Sequence, residues 1–237
     1  MADYVPMAVK SEIFHKEPDG STSLLAERAH RALINQLRDG RLKSGAFLSM
    51  PMLVEQLALP IAAVRDAVKR AEATGLVTVL PKRGVMIMNA DADMTRECID
   101  LRAIFECEGA RRLIENGRTI PLAKLKDEHK RLQDDAQTKM TPDLSRRAIQ
   151  TDLSLHDALS TGINSQLIAR LYAENRDRIA VIQNARPFLA DRIVSAMDEH
   201  LAIINALEAR DLDEALAAIR LHLKNTLRWW GIASSVE

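Results

Sequence analysis

The chain has 237 residues, 47% of them hydrophobic and 28% charged, with 33 basic side chains balanced by 33 acidic ones and only two cysteines. This profile excludes a disordered polymer and a disulfide-stapled scaffold, and it fits one or two globular domains. No apolar run reaches the roughly 18 residues of a membrane span, and the first residues lack an apolar core behind a basic start, so a cytoplasmic location is expected.

Residues 1–21 read as a flexible N-terminal segment. The stretch SLLAERAHRALINQLRDGRLKSGAFL then predicts an amphipathic helix capped near Ser23 and ending at Asp39-Gly40, followed by a tight Lys-Ser-Gly turn into a short extended piece. A short helix over roughly 50–58 comes next. After Leu59-Pro60, IAAVRDAVKRAEATGLV predicts a third helix with Val64, Ala67, Val68 and Ala71 inward and Arg65, Lys69 and Arg70 outward. LVTVLPKRGVMIM alternates apolar residues about a Pro-Lys-Arg-Gly turn, which predicts a β-hairpin with Lys82, Arg83 and Gly84 at its tip. Residues 22–90 hold ten basic and five acidic side chains, whereas 91–237 hold 21 and 24. Three helices and a hairpin carrying that basic excess make a winged helix-turn-helix DNA-binding domain.

These motifs carry a resemblance. LINQLRDGRLKSGAFL, AVRDAVKRAEATGLV and PKRGV resemble the DNA-binding domain of the GntR superfamily of bacterial transcription regulators. The resemblance implies that Arg65 contacts DNA from the recognition helix with Lys69 near a phosphate, and that Arg83 and Gly84 enter the minor groove at the wing tip, where glycine would let the backbone approach the sugars. Arg70 and Lys82 complete the basic face. The sequence departs from the pattern before the recognition helix, where Pro60-Ile61 and Ala62-Ala63 stand in place of the usual Ser-Arg and hydroxyl-bearing pair. A side-chain N-cap and one basic contact are therefore missing, and an atypical operator or weaker binding by the monomer is expected.

The remainder, 91–237, predicts helices near 94–116, 121–139, 142–161, 165–184 and 187–209 and a sixth over about 212–231, with Asp211 and Glu214 at capping-box spacing. A single antiparallel α-helical bundle covers their apolar faces, so the fold class is mainly α. Cys98 and Cys107 lie nine apart along one helix, too far to bridge, and read as reduced thiols. At 100° per residue, Asp152 and His156 fall inside the apolar arc of Leu144, Ala148, Ile149, Leu155 and Leu159. His200 lies at the centre of the stripe of Ile193, Ala196, Met197, Ile204 and Leu207, and His222 at the edge of its helix's apolar arc. Three histidines and an aspartate turned into one bundle suit a divalent transition metal, Zn2+ first, with Ni2+ or Mn2+ as alternatives. Spacing alone equally allows a buried ion pair beside hydrogen-bonded core histidines.

The helices over 94–231 resemble the FCD ligand-binding domain of the FadR branch, through Asp152-Leu-Ser-Leu-His156, Gly162-Ile-Asn164, Glu199-His200 running on to Asp211, and His222. The resemblance implies the metal-binding version of that domain, with Asp152, His156, His200 and His222 as ligands, and an Arg102 that meets an acidic effector. Asn175 and Arg178 read as inward-turned polar groups sharing a stripe with Leu167, Leu171, Ile179 and Ile182, and are further candidates for the effector. The resulting expectation is a homodimeric, ligand-responsive regulator, a repressor of a metabolic operon, bound to a roughly palindromic operator. A metal-dependent helical-bundle enzyme with an accessory nucleic-acid-binding domain is the alternative, and would require an open coordination position beside a general base.

Overall fold

The computed structural model describes residues 20–138, 141–186 and 189–233, so all but the last two residues of the segment expected over 1–21 lie outside the described residues. The first elements are α1 (Gly20–Arg38), β1 (Phe47–Leu48), α2 (Met50–Leu57), α3 (Ile61–Ala73), β2 (Val77–Leu80) and β3 (Gly84–Ile87). α1 begins at Gly20, three residues before Ser23. Ala29, Leu33 and Leu37 recur at four-residue spacing and are buried where α1 packs on α3. The Ser49 side chain caps α2 by accepting from the Met52 amide at 3.3 Å. Pro60 leaves α3 without a side-chain cap, as the sequence departure implied. The expected hairpin is present as the antiparallel pair β2–β3, and it gains a third strand. The extended piece after the Lys-Ser-Gly turn pairs with it, giving an antiparallel sheet of order β1-β3-β2 with Leu48 and Val79 both opposite Val85.

Six longer helices follow: α4 (Ala92–Glu115), α5 (Leu122–Thr138), α6 (Pro142–Ser160), α7 (Gln166–Ala185), α8 (Ala190–Ala209) and α9 (Leu212–Trp229), with a 3-10 turn over Thr161–Ile163. Their starts are set locally. Asp91, Thr141, Ser165 and Asp211 each accept a hydrogen bond from a backbone amide three residues on. Glycine brings α4 and the end of α6 unusually close: a Cβ on Gly109 would lie 2.1 Å from the Leu159 carbonyl oxygen, and one on Gly162 would lie 2.1 Å from that of Gly109. That approach places the α4 turn before Gly109 against the inward face of α6.

Apolar packing does not stop at residue 90. Cys98, Leu153, Ile179, Val181 and Ile182 belong to the same buried cluster as the core of α1–α3. Polar links run alongside it. Asn184 Nδ2 donates to the Arg38 carbonyl at 2.7 Å, Arg38 pairs with Asp177 at 2.5 Å, and Arg186 donates to the Ala90 carbonyl at 3.0 Å. The N-terminal half of α7 departs from the expected stripe, since Leu167 and Leu171 are exposed while Tyr172, Asn175 and Ile179 are buried. The helix turns one face to α4 and its C-terminal half also to α1, so its buried arc is not one straight stripe. Among the described residues no helix is long and apolar enough to cross a membrane.

Candidate metal centre and nucleic-acid interface

α6, α8 and α9 bring Asp152, His156, His200 and His222 together, with one ligand atom from each lying within 4.8 Å of all the others. His156 and His200 are fully buried, and His222 and Asp152 are exposed by only 1% and 4%. The centre is defined as much by what stands behind these groups as by the groups themselves. His156 Nδ1 donates to Glu106 at 2.8 Å and His222 Nδ1 donates to Glu199 at 2.7 Å. An ionised carboxylate only accepts, so His222, backed by Glu199, carries its proton on Nδ1 and turns the Nε2 lone pair inward, and His156 does the same whenever Glu106 is ionised. Asp152 is held likewise: its Oδ2 accepts from Gln183 at 2.7 Å, while Oδ1 lies 3.7 Å from His156 Nε2 and 3.5 Å from His200 Nε2.

Inside the cluster, hydrogen bonding is incomplete. His200 Nε2 and His222 Nε2 approach to 3.2 Å, and His156 Nε2 has no hydrogen-bond partner among the described residues. Imidazole lone pairs turned inward beside a buried carboxylate are costly unless a cation shares them, so the donor set fits a divalent metal better than a closed ion pair. Burial holds His200 well below the ordinary imidazole range and lowers His222 too, despite the opposing pull of Glu199. Both are thus neutral, the form that binds metal. Burial pushes Glu106 up to about 7, against the pull of Arg102. Burial also opposes ionisation of Glu199, but hydrogen bonds and charge from His222 and Arg192 outweigh it and hold that carboxyl low.

Of the residues expected to meet an effector, Arg102 joins the centre. It is 2% exposed, donates to Glu106 at 2.7 Å and lies 3.5 Å from Asp152, and its Nη2 makes no hydrogen bond. Asn175 is buried beside it but is spent on architecture, donating to the Cys98 carbonyl at 2.9 Å. Arg178 is not in the centre. Its guanidinium reaches the other way, to the Thr74 carbonyl at the end of α3 and over Gly75. Glu106, Gln183 and His129 escaped the sequence reading, although two signals were present: Glu106 stands four residues after Arg102 on the α4 arc, and His129 shares a stripe with Leu125, Leu132 and Ala136.

On the opposite part of the molecule, Arg65, Lys69 and Arg70 are exposed on α3, and Lys82 and Arg83 are exposed at the wing turn, where Lys82 takes a left-handed φ of 60°. Arg70 is paired with Glu27 of α1 at 2.8 Å. Gly84 has a reason within the fold itself. Its φ is 148°, and a Cβ there would lie 2.4 Å from the Leu48 carbonyl oxygen, so the third strand requires glycine whether or not DNA is near.

A winged helix carrying a basic face, joined to a helical bundle with a polar centre, defines a DNA-binding regulator with a sensor domain. The comparisons agree. The chain matches the model for bacterial regulatory proteins of the gntR family over residues 25–87 and that for the FCD domain over 97–225, and it belongs to the GntR-family transcription regulators with an FCD domain. It is 24% identical over 218 residues to the HTH-type transcriptional regulator BphR of Paraburkholderia xenovorans, covering 89% of this chain and 86% of that one. Similar solved structures are E. coli McbR/YncC, with a TM-score of 0.71, 20% identity and coverage of 87% and 97%, and a GntR transcriptional regulator of Rhodococcus sp. RHA1. The latter has a TM-score of 0.69, 22% identity and coverage of 90% and 99%. The family is one of regulators and not of enzymes, which sets aside the enzyme alternative.

Proposed function

We propose that this regulator is a cytoplasmic homodimer that represses a metabolic operon by binding a roughly palindromic operator, and that an acidic effector bound beside a divalent metal in the bundle changes its operator affinity. The observation that carries the reading is the buried quartet of Asp152, His156, His200 and His222, with two of its imidazoles backed by carboxylates. A bound Zn2+, or Ni2+ or Mn2+, would supply Lewis acidity toward an oxygen ligand. Arg102 Nη2, which lies 3.5 Å from Asp152 and makes no hydrogen bond, can donate to a carboxylate from the same side. Arg65, Lys69, Arg70, Lys82 and Arg83 serve the DNA from residues 22–90, and residues 91–237 form the sensor. Exposed Ile104, Leu167 and Leu171, on two helices that pack together, support self-association.

The route between the two activities is short. Gln183 touches Asp152, and its neighbour Asn184 holds the last carbonyls of α1. A ligand that binds two states unequally shifts their balance, and the coupling is reciprocal. Calorimetric titration of the metal-loaded protein with a panel of carboxylic acids, with and without an operator selected from a random duplex pool, tests this. An acid that weakens operator binding must itself bind more weakly in the presence of operator, by the same factor. Identical affinities in both titrations would reduce the bundle to a dimerisation module.

A further inference from the structure

Two buried ring nitrogens on neighbouring helices have no hydrogen-bond partner among the described residues: His200 Nδ1 on α8 and His129 Nε2 on α5. Both residues are fully buried, and their rings meet edge to face with centroids 5.1 Å apart. The protonation of the His129 ring follows from its other contact. Its Nδ1 lies 2.6 Å from the Leu125 carbonyl, which can only accept, so Nδ1 carries the proton and Nε2 holds a lone pair. His129 stands outside the quartet of ligand atoms.

The need of His200 is the complement of this, provided the metal reading above holds, on which this inference rests. A ring that binds metal through Nε2 carries its proton on Nδ1 and needs an acceptor there. Glu106 fills that role for His156 and Glu199 for His222. The atom left over beside His200 is the unused lone pair of His129. We propose that His129 is the acceptor behind His200, reached through one buried water that takes the Nδ1–H of His200 and donates to Nε2 of His129. Such a water satisfies two otherwise stranded polar atoms, the usual condition for water in a protein interior. The metal would then have two imidazoles backed by carboxylates and a third backed by a neutral ring. His200 would therefore be the least basic of the three donors. His129 acts here as a positioning residue.

Two variants of the full chain separate this role from simple packing. His129→Asn keeps a donor for the Leu125 carbonyl but has nothing at the place of Nε2, whereas His129→Gln carries an acceptor out to that place. The readouts are zinc affinity by chelator competition and proton-nitrogen NMR of zinc-loaded protein labelled at histidine, with melting of the metal-free proteins as the check on folding. Wild type should show slowly exchanging Nδ1–H signals from His156, His200 and His222. Of these three, His129→Asn should lose the His200 signal alone, beside the ring signal of His129 itself, and bind zinc about tenfold more weakly, at the lower end of the range for lost partners of metal ligands. His129→Gln should recover most of both. Unchanged zinc affinity with all three signals in His129→Asn would overturn the role of His129 while leaving the metal centre standing. A wild type that takes up no zinc would overturn both. Equal losses in the two variants would make His129 a packing residue only.

Discussion

Glu106→Gln should leave the metal-free protein nearly intact and yet cripple the metal centre. Glu106 lies fully buried between Arg102 at 2.7 Å and His156 at 2.8 Å, and burial raises its pKa to about 7, so without metal it is protonated in about half of the molecules at neutral pH. Glutamine copies that protonated form: its oxygen accepts from Arg102 and its amide donates to His156 Nδ1. The donated proton forces the other tautomer on His156, with hydrogen on Nε2, the atom that must face the metal. The variant should thus lose zinc affinity by about 10–100-fold, or roughly 1.4–2.7 kcal/mol. For a chain of this size, saturating zinc should then raise its melting temperature by roughly 3–10 °C less than it raises that of wild type. Melting curves with zinc and with chelator, together with a competition titration, measure both quantities. Wild-type zinc affinity in Glu106→Gln, or a metal-free variant destabilised by more than about 2 kcal/mol, would refute the tautomer argument.

Arg65→Ala combined with Arg83→Ala should weaken operator binding and flatten its salt dependence while leaving zinc uptake unchanged; full affinity in the double variant would remove α3 and the wing from the interface. The metal-free protein should lose melting temperature as pH falls from 7 toward 5. Burial lowers His129, His200 and His222, so their contribution is complete above the unfolded value of about 6.5 and is lost below it. Glu106, raised to about 7, runs the other way between about 4.5 and 7, one group against three, so a flat or rising profile would contradict the neutral-histidine interior. Asn184→Ala should cost about 1 kcal/mol and leave zinc affinity untouched, but loosen the response of operator binding to metal or effector, as read by fluorescence anisotropy of labelled operator.

The parts of the centre that follow a local rule were legible before any coordinates. Helical periodicity at Asp152, His156 and His200 is a property of one helix at a time, and all of these side chains turn inward as their spacing requires. His222, at the edge of its arc, is also buried. The carboxylates behind the ligands were harder to see, because Glu106 meets His156 across 50 positions of chain through a helix contact that two glycines make possible. His129 was visible by the same periodicity and was overlooked as a buried group. Arg178 was misread for a different reason: α7 has two partners, and a stripe that continues from α4 to α1 carries residues of the domain interface as well as residues of the bundle interior.

The most direct test of a metal centre in the bundle is elemental analysis of the full-length protein purified without chelator, beside His156→Ala and His200→Ala. About one divalent transition-metal ion per chain is expected in wild type, with occupancy falling steeply in both variants. A wild-type content near zero that does not rise on incubation with zinc, nickel or manganese, or equal content in all three proteins, would contradict it.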